Sequence, residues 1–190
     1  MASPVFHGLA GAGLACAMAG DARLPLFASL RQAAKILLVA AVLACLPDVD
    51  YLPGLARGYL NTTHQQTTHS VAWVLLVSAG IWMVGRAWKP AWFGWRAAVF
   101  LVVLIGSHLA IDMITEDHFA PYGFPLWFPF SDQAVHKPFP LLPAWTKTSW
   151  ADLESWRNVR VLVFELGAGG LFAAGCVTAK RCWPRRKAAL

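Results

Sequence analysis

Five runs dominated by apolar side chains, at about residues 5–20, 33–47, 70–85, 97–115 and 158–179, constrain the fold of this chain more than any other feature. Backbone placed in hydrocarbon must satisfy its own N–H and C=O groups, so such runs form helices that cross a bilayer. Several are shorter than the ~20 residues that cross comfortably. This implies local thinning of the bilayer, or helices that continue into flanking polar sequence, as "LPDVDYL" after the second run allows. With 57% hydrophobic and 14% charged residues, the chain has too few charges to clothe a water-soluble domain. The expectation is an all-α, polytopic integral membrane bundle of about five transmembrane helices. It forms a single membrane-embedded domain over residues 1–180, followed by a basic cytoplasmic tail at 181–190. No segment repeats internally. The opening "MASPVFHGLAGAGLACAMAG" lacks the basic stretch that precedes the apolar core of a secretory signal, so it reads as a retained first helix whose small residues suit close packing.

Lys and Arg fix the expected orientation, because short cytoplasmic loops are enriched in them. Arg23, Arg31 and Lys35 lie between the first two runs, Arg86, Lys89 and Arg96 between the third and fourth, and Lys180, Arg181, Arg185, Arg186 and Lys187 after the fifth. These are 11 of the 16 basic residues, and the alternation puts the N-terminus outside and the C-terminus inside. Basic residues scattered through loops do not build a nucleic-acid face despite the net charge of +6. Cys16, Cys45, Cys176 and Cys182 form no C-x-x-C pair, which argues against a disulfide framework and a thiolate metal site. The segment "APYGFPLWFPFSDQAVHKPFPLLPAW" is too polar at intervals to span. It reads as a long outer loop lying at the interface, where Trp and Tyr favour the headgroup level.

Against this background one stretch stands out. "SHLAIDMITEDH" closes the fourth run, and its His108 and Asp112 share a helix face, with Thr115 one turn further. Counted inward from Thr115, His108 lies ~10 Å deep. Ionisable groups at such depth are costly and mark functional sites, although a lone His–Asp pair also serves as a hydrogen-bonded clasp between helices. The same outer side carries His7, Asp48 and Asp50 of "LPDVD", His64 and His69 of "HQQTTHS", His118 and His136. All six histidines fall on this side. Thr67, Thr68 and Ser70 are candidate caps or groups that orient the ligands. Imidazoles and carboxylates without thiolate suit zinc or harder divalent ions. There are more of them than one tetrahedral ion needs, so two or more metals, bridged by an aspartate, fit the set. Glu165, at a similar depth in the fifth run, is either a further ligand, an orienting group or a hydrogen-bonded structural acid.

The ordered set His7-Gly8, "LPDVDYL", "HQQTTHS", "SHLAID" with Thr115, and "LWFPFS" resembles the YdjM-like family of inner-membrane proteins, described as LexA-regulated metal-dependent hydrolases. The resemblance runs from about residue 7 to 131 and implies metal ligation by His7, Asp48, Asp50, His64, His69, His108 and Asp112. It also implies a bacterial inner membrane location, with the site facing the periplasm or exterior. A departure is Gln65-Gln66, where the family commonly has Arg-Gly. More distantly, His108, Asp112 and His118 are similar to the His-x3-Asp-x5-His run of zinc-dependent phospholipase C and P1-type nucleases, although the later His-x3-Glu of those enzymes is missing.

The function expected is hydrolysis of an ester or phosphoester, in a small-molecule or lipid substrate, by metal-activated water, with Asp50 or Asp48 accepting the proton. The alternatives are a transporter of divalent metal or protons, and a non-catalytic scaffold stabilised by metal. Oligomeric state is not legible.

Overall fold

A computed structural model describes residues 2–19, 26–60, 64–118, 122–136 and 139–182. Most of the basic tail, residues 183–190, lies outside the described residues, as does Arg23. The described residues form helices α1 (Pro4–Ala19), α2 (Leu26–Ala44), α3 (Tyr51–Ala56), α4 (Val71–Trp88), α5 (Trp95–Met113) and α6 (Trp156–Cys182). Short 3-10 turns occupy Leu46–Asp50, Thr67–His69 and Trp150–Glu154, and among the described residues there is no strand beyond two isolated bridges.

All of these helices but α3 overlap the five apolar runs, yet their lengths do not support five full crossings. By length and composition α4, α5 and α6 can each cross a membrane, and α2 with the turn and α3 makes a fourth only as a span bent by 54°. At 16 residues α1 is shorter than the ~20 that a bilayer core needs. Three to four spans are therefore what the structure supports, against the five expected.

The break after α2 has a sequence cause. Pro47 follows Leu46 and lacks a backbone donor, so the α-helical ladder stops at Ala44 and the chain tightens into the turn carrying Asp48 and Asp50. Ser70 starts α4 sharply, accepting from Trp73 N at 3.2 Å while donating to the Thr67 carbonyl at 2.8 Å.

The first helix is the centre of the bundle, packed between α2 and α6 and touching α5. Small residues make this approach possible. A Cβ on Gly11 would lie 2.6 Å from Ala44 Cβ and 2.8 Å from the Ala40 carbonyl oxygen, and one on Gly13 would lie 2.8 Å from Ala173 Cα. Ala15, Ala40, Ala44 and Leu104 form one buried apolar cluster, and Val74, Ile105, Leu109 and Phe124 form a second.

The Pro- and aromatic-rich segment between α5 and α6 folds back onto the bundle. Thr115 pairs with Leu142, Phe124 with Val135, and Val71 N donates to the Leu126 carbonyl at 3.0 Å. Its Phe124 is fully buried, whereas Phe130, Trp127, Phe139 and Leu141 point outward. The segment is thus a roof with an apolar exterior, as an interfacial loop should be.

Candidate metal centre

Four elements each deliver part of one buried cluster. His7 comes from the first turns of α1, Asp48 and Asp50 from the turn after α2, His64 and His69 from the loop before α4, and His108 with Asp112 from the last turns of α5. All seven side chains expected to share a site do meet. His7 Nε2 is 3.5 Å from Asp112 Oδ1, while His69 Nε2 and His108 Nε2 are each 3.6 Å from Asp112 Oδ2. Asp48 Oδ1 is 3.3 Å from His108 Nε2, 3.6 Å from His64 Nδ1 and 3.7 Å from His69 Nε2. Asp50 takes His64 Nδ1 at 2.9 Å and His69 Nδ1 at 3.2 Å. The His7 and His108 rings stack 3.7 Å apart.

Several ring orientations follow from the backbone. The carbonyls at a helix C-terminus lack intrahelical partners. One of them, Ala44 O at the end of α2, accepts from His108 Nδ1 at 2.8 Å. With its proton on Nδ1, His108 turns the lone pair of Nε2 toward the carboxylates. Thr68 Oγ1 donates to Asp50 Oδ2 at 2.8 Å, joined there by Gln66 N at 3.1 Å. His64 is wedged against the Tyr51 ring, 3.8 Å between centroids.

The electrostatics of the loop histidines diverge. Burial pushes His64 down to about 4, against the opposing hydrogen bond from Asp50. Burial acts on His69 in the same sense, but the neighbouring carboxylates of Asp48 and Asp50 outweigh it and raise the imidazole to about 9.

A telling feature is the set of buried polar atoms with no hydrogen-bond partner: both nitrogens of His7, Nε2 of His69, Nε2 of His108 and both oxygens of Asp112, with Ser78 Oγ elsewhere in α4. An unsatisfied buried group costs ~1–3 kcal/mol, and five of these atoms, Nε2 of His7, His69 and His108 with the two Asp112 oxygens, lie within 3.5–3.6 Å of a neighbour in the set, close enough for a cation to serve them. Three groups of ligand atoms lie close enough to share an ion: His7–His108–Asp112, Asp48–His69–His108 and Asp50–His64–His69. The donor set, imidazole nitrogen and carboxylate oxygen, fits a divalent cation. Because one imidazole nitrogen has a single lone pair, the first two groups compete for His108 Nε2. The first and third share no residue and can be filled together.

The supporting residues sort differently from the sequence expectations. Thr68 bonds a cluster carboxylate, whereas Ser70 caps α4 and Thr115 Oγ1 bonds the Ile111 carbonyl at 2.8 Å. His118 is a correction. It sits on the surface, 3.3 Å from Glu116 and 2.9 Å from Arg157, because α5 ends at Met113 and the chain turns away before residue 118. The His-x3-Asp-x5-His spacing therefore joins residues that do not meet, and His136 is likewise exposed. Of the roles open to Glu165, the structure shows the hydrogen-bonded structural acid: it is buried but outside the cluster, accepting from Ser3 N at 2.7 Å, from Ser3 Oγ, and from Trp145 Nε1 at 3.1 Å. It anchors the start of the helix that carries His7. Sequence reasoning passed over Tyr51, though it adjoins Asp50, and over Lys147, whose Nζ donates to Tyr51 Oη at 2.6 Å. It also passed over Asn158, which holds Thr146 through two hydrogen bonds. A lone Lys in a Pro-rich stretch gives no signal.

Fold and site together define a polytopic helical membrane protein with a buried His/Asp cluster at one end of its bundle. The family model described as YdjM inner membrane protein matches residues 1–182, so the chain belongs to that family. No curated protein and no solved structure matches the chain, and the similarity to phospholipase C and P1-type nucleases is not shown.

Proposed function

We propose that the chain is a membrane-embedded, metal-dependent hydrolase of an ester or phosphoester bond, holding one or two divalent ions, zinc foremost, at the outer face of the inner membrane. The observation that carries this reading is the convergence of seven His and Asp side chains from four elements into three adjoining ligand groups, six of the seven side chains buried and six of their polar atoms unpartnered. His7, His108 and Asp112 would hold one ion, and Asp50, His64 and His69 a second. Asp48 Oδ1 lies between them, facing histidines of both groups. A divalent cation there supplies a water acidic enough to ionise near neutral pH and a positive charge against the scissile group. Asp50 is engaged on both oxygens by His64, Gln66 and Thr68. Asp48, with a side chain 11% exposed, is therefore the better proton acceptor. The roof segment keeps bulk water off the cluster. Its outward placement rests on the Lys and Arg distribution.

The test is metal content of the purified protein together with hydrolysis of phosphomonoester, phosphodiester and phospholipid substrates. Wild type should carry metal and turn over at least one class, and Asp48→Asn should keep metal while losing turnover. Metal-free protein without hydrolysis overturns the reading. A transporter would need a run of polar groups continuing inward, yet the buried residues a turn or more along α1, α2 and α5 from the cluster, Ala15, Ala40, Leu104 and Ile105, are apolar.

A further inference from the structure

The cluster is shut on most sides. His7, His69, His108 and Asp112 have side chains only 0–1% exposed, and Phe124 of the roof lies 5.8 Å from the His69 ring. Asp48 is the exception, and its opening leads sideways. A cleft of about 400 Å³ runs between α1 and the α2 break, walled by Pro4, Gly8, Ala41, Val42 and Leu52, and among the described residues Asp48 is the one charged residue that lines it. Its rim continues into the apolar outer surface of the bundle, where Val42, Val49 and Leu52 are exposed. For a chain of an inner-membrane family this surface meets lipid.

We propose that this cleft seats an acyl chain of a bilayer glycerolipid, so that the lipid's ester or phosphoester reaches the cluster at Asp48 without leaving the membrane. The proposal rests on the hydrolase reading and names its substrate class. A free phosphate or sugar phosphate would find no polar partner along these walls, and desolvating it there is costly. An acyl chain loses nothing on moving from lipid to an equally apolar cleft, so the headgroup contacts at the cluster alone decide binding. A second apolar groove of about 490 Å³ on the bundle surface, lined by Leu14, Val103, Ile111 and Phe172 among others, reaches no cluster residue and serves as an internal control.

The experiment uses full-length protein in nanodiscs of phosphatidylethanolamine and phosphatidylglycerol, doped with phosphatidylethanolamine carrying a diazirine in its acyl chain. Photolabelling should concentrate on Val42, Val49 and Leu52. Val42→Trp, which fills the cleft, should reduce that labelling and slow phospholipid hydrolysis by roughly tenfold or more, equivalent to about 1.4 kcal/mol. It should leave metal content and hydrolysis of water-soluble bis(p-nitrophenyl) phosphate unchanged, and Val103→Trp in the control groove should change none of these. Labelling spread evenly over the cleft and the control groove overturns the proposal, as does phospholipid turnover by Val42→Trp at the wild-type rate. Both can occur with hydrolase activity intact, which separates this failure from that of the catalytic reading. If wild type hydrolyses nothing, or Val42→Trp fails to fold, the wild-type labelling pattern still decides whether lipid occupies the cleft.

Discussion

Removing the metal should cost this protein a measurable part of its stability, and the structure sets the scale. Six buried polar atoms of His7, His69, His108 and Asp112 lack partners. At ~1–3 kcal/mol each, an empty and dry cluster would cost on the order of 6–18 kcal/mol, comparable to the whole net stability of a typical fold. A cation held by three of these side chains, each through one atom, relieves about half of that cost. By mass action, an ion supplied at 100 times its Kd stabilises the folded state by about 2.7 kcal/mol. At ~2–4 °C per kcal/mol for a chain of this size, Tm should rise by about 5–11 °C. The assay is thermal unfolding in nanodiscs, followed by intrinsic fluorescence from the ten tryptophans, on chelator-treated protein with and without zinc, manganese or magnesium. Asp112→Asn keeps the side-chain volume but removes the charge facing three histidines, and should lose most of the increment. A chelated protein that melts where the purified protein does, and gains nothing from any divalent ion, would refute the reasoning, since the six atoms would then be served by water or by one another.

Further outcomes follow from the surroundings of the cluster. Thr68→Val removes the 2.8 Å hydrogen bond to Asp50 and should weaken metal affinity by ~10–100-fold in a competition titration, with little change in the Tm of the metal-free protein. Glu165→Ala strands the Ser3 and Trp145 donors and should lower stability by about 3 kcal/mol, with reduced metal occupancy because α1 carries His7; unchanged occupancy and Tm would count against its anchoring role. His118→Ala should alter neither metal content nor turnover, and loss of an ion would revive the phospholipase-like spacing. In the metal-free protein, His69, raised to about 9, contributes stability that is full below about 6.5 and lost as pH rises through 9. A cation must displace that proton, so metal affinity measured by titration should strengthen between pH 6.5 and 9, with proton release on binding.

How far this site could be read without coordinates depends on what each residue's neighbours encode. Five of the six helices were legible because apolar runs in a low-charge chain leave few other structures open. The count of crossings was not, because α1 has 16 residues and Pro47 splits the second run into a bent pair, and hydropathy alone does not register either. The seven cluster residues were legible as a set because all sit at helix ends on one side, where the expected alternation of the chain brings them level. Helical spacing carried His108 and Asp112 correctly, since both lie inside α5. The same ruler failed for His118, which stands five residues past the end of that helix, where spacing no longer fixes direction. Depth alone could not choose among the roles open to Glu165, which α6 turns toward Ser3 and Trp145. What no pattern announces is the backbone's part. The proline that ends α2 frees the carbonyl of Ala44, and that carbonyl fixes the proton of His108 on Nδ1 and its lone pair on the cluster. A helix break that looks like a defect in a span is thus what sets which nitrogen His108 turns to the cluster, so Pro47→Ala should disturb metal affinity through His108 although Pro47 is not among the candidate ligands.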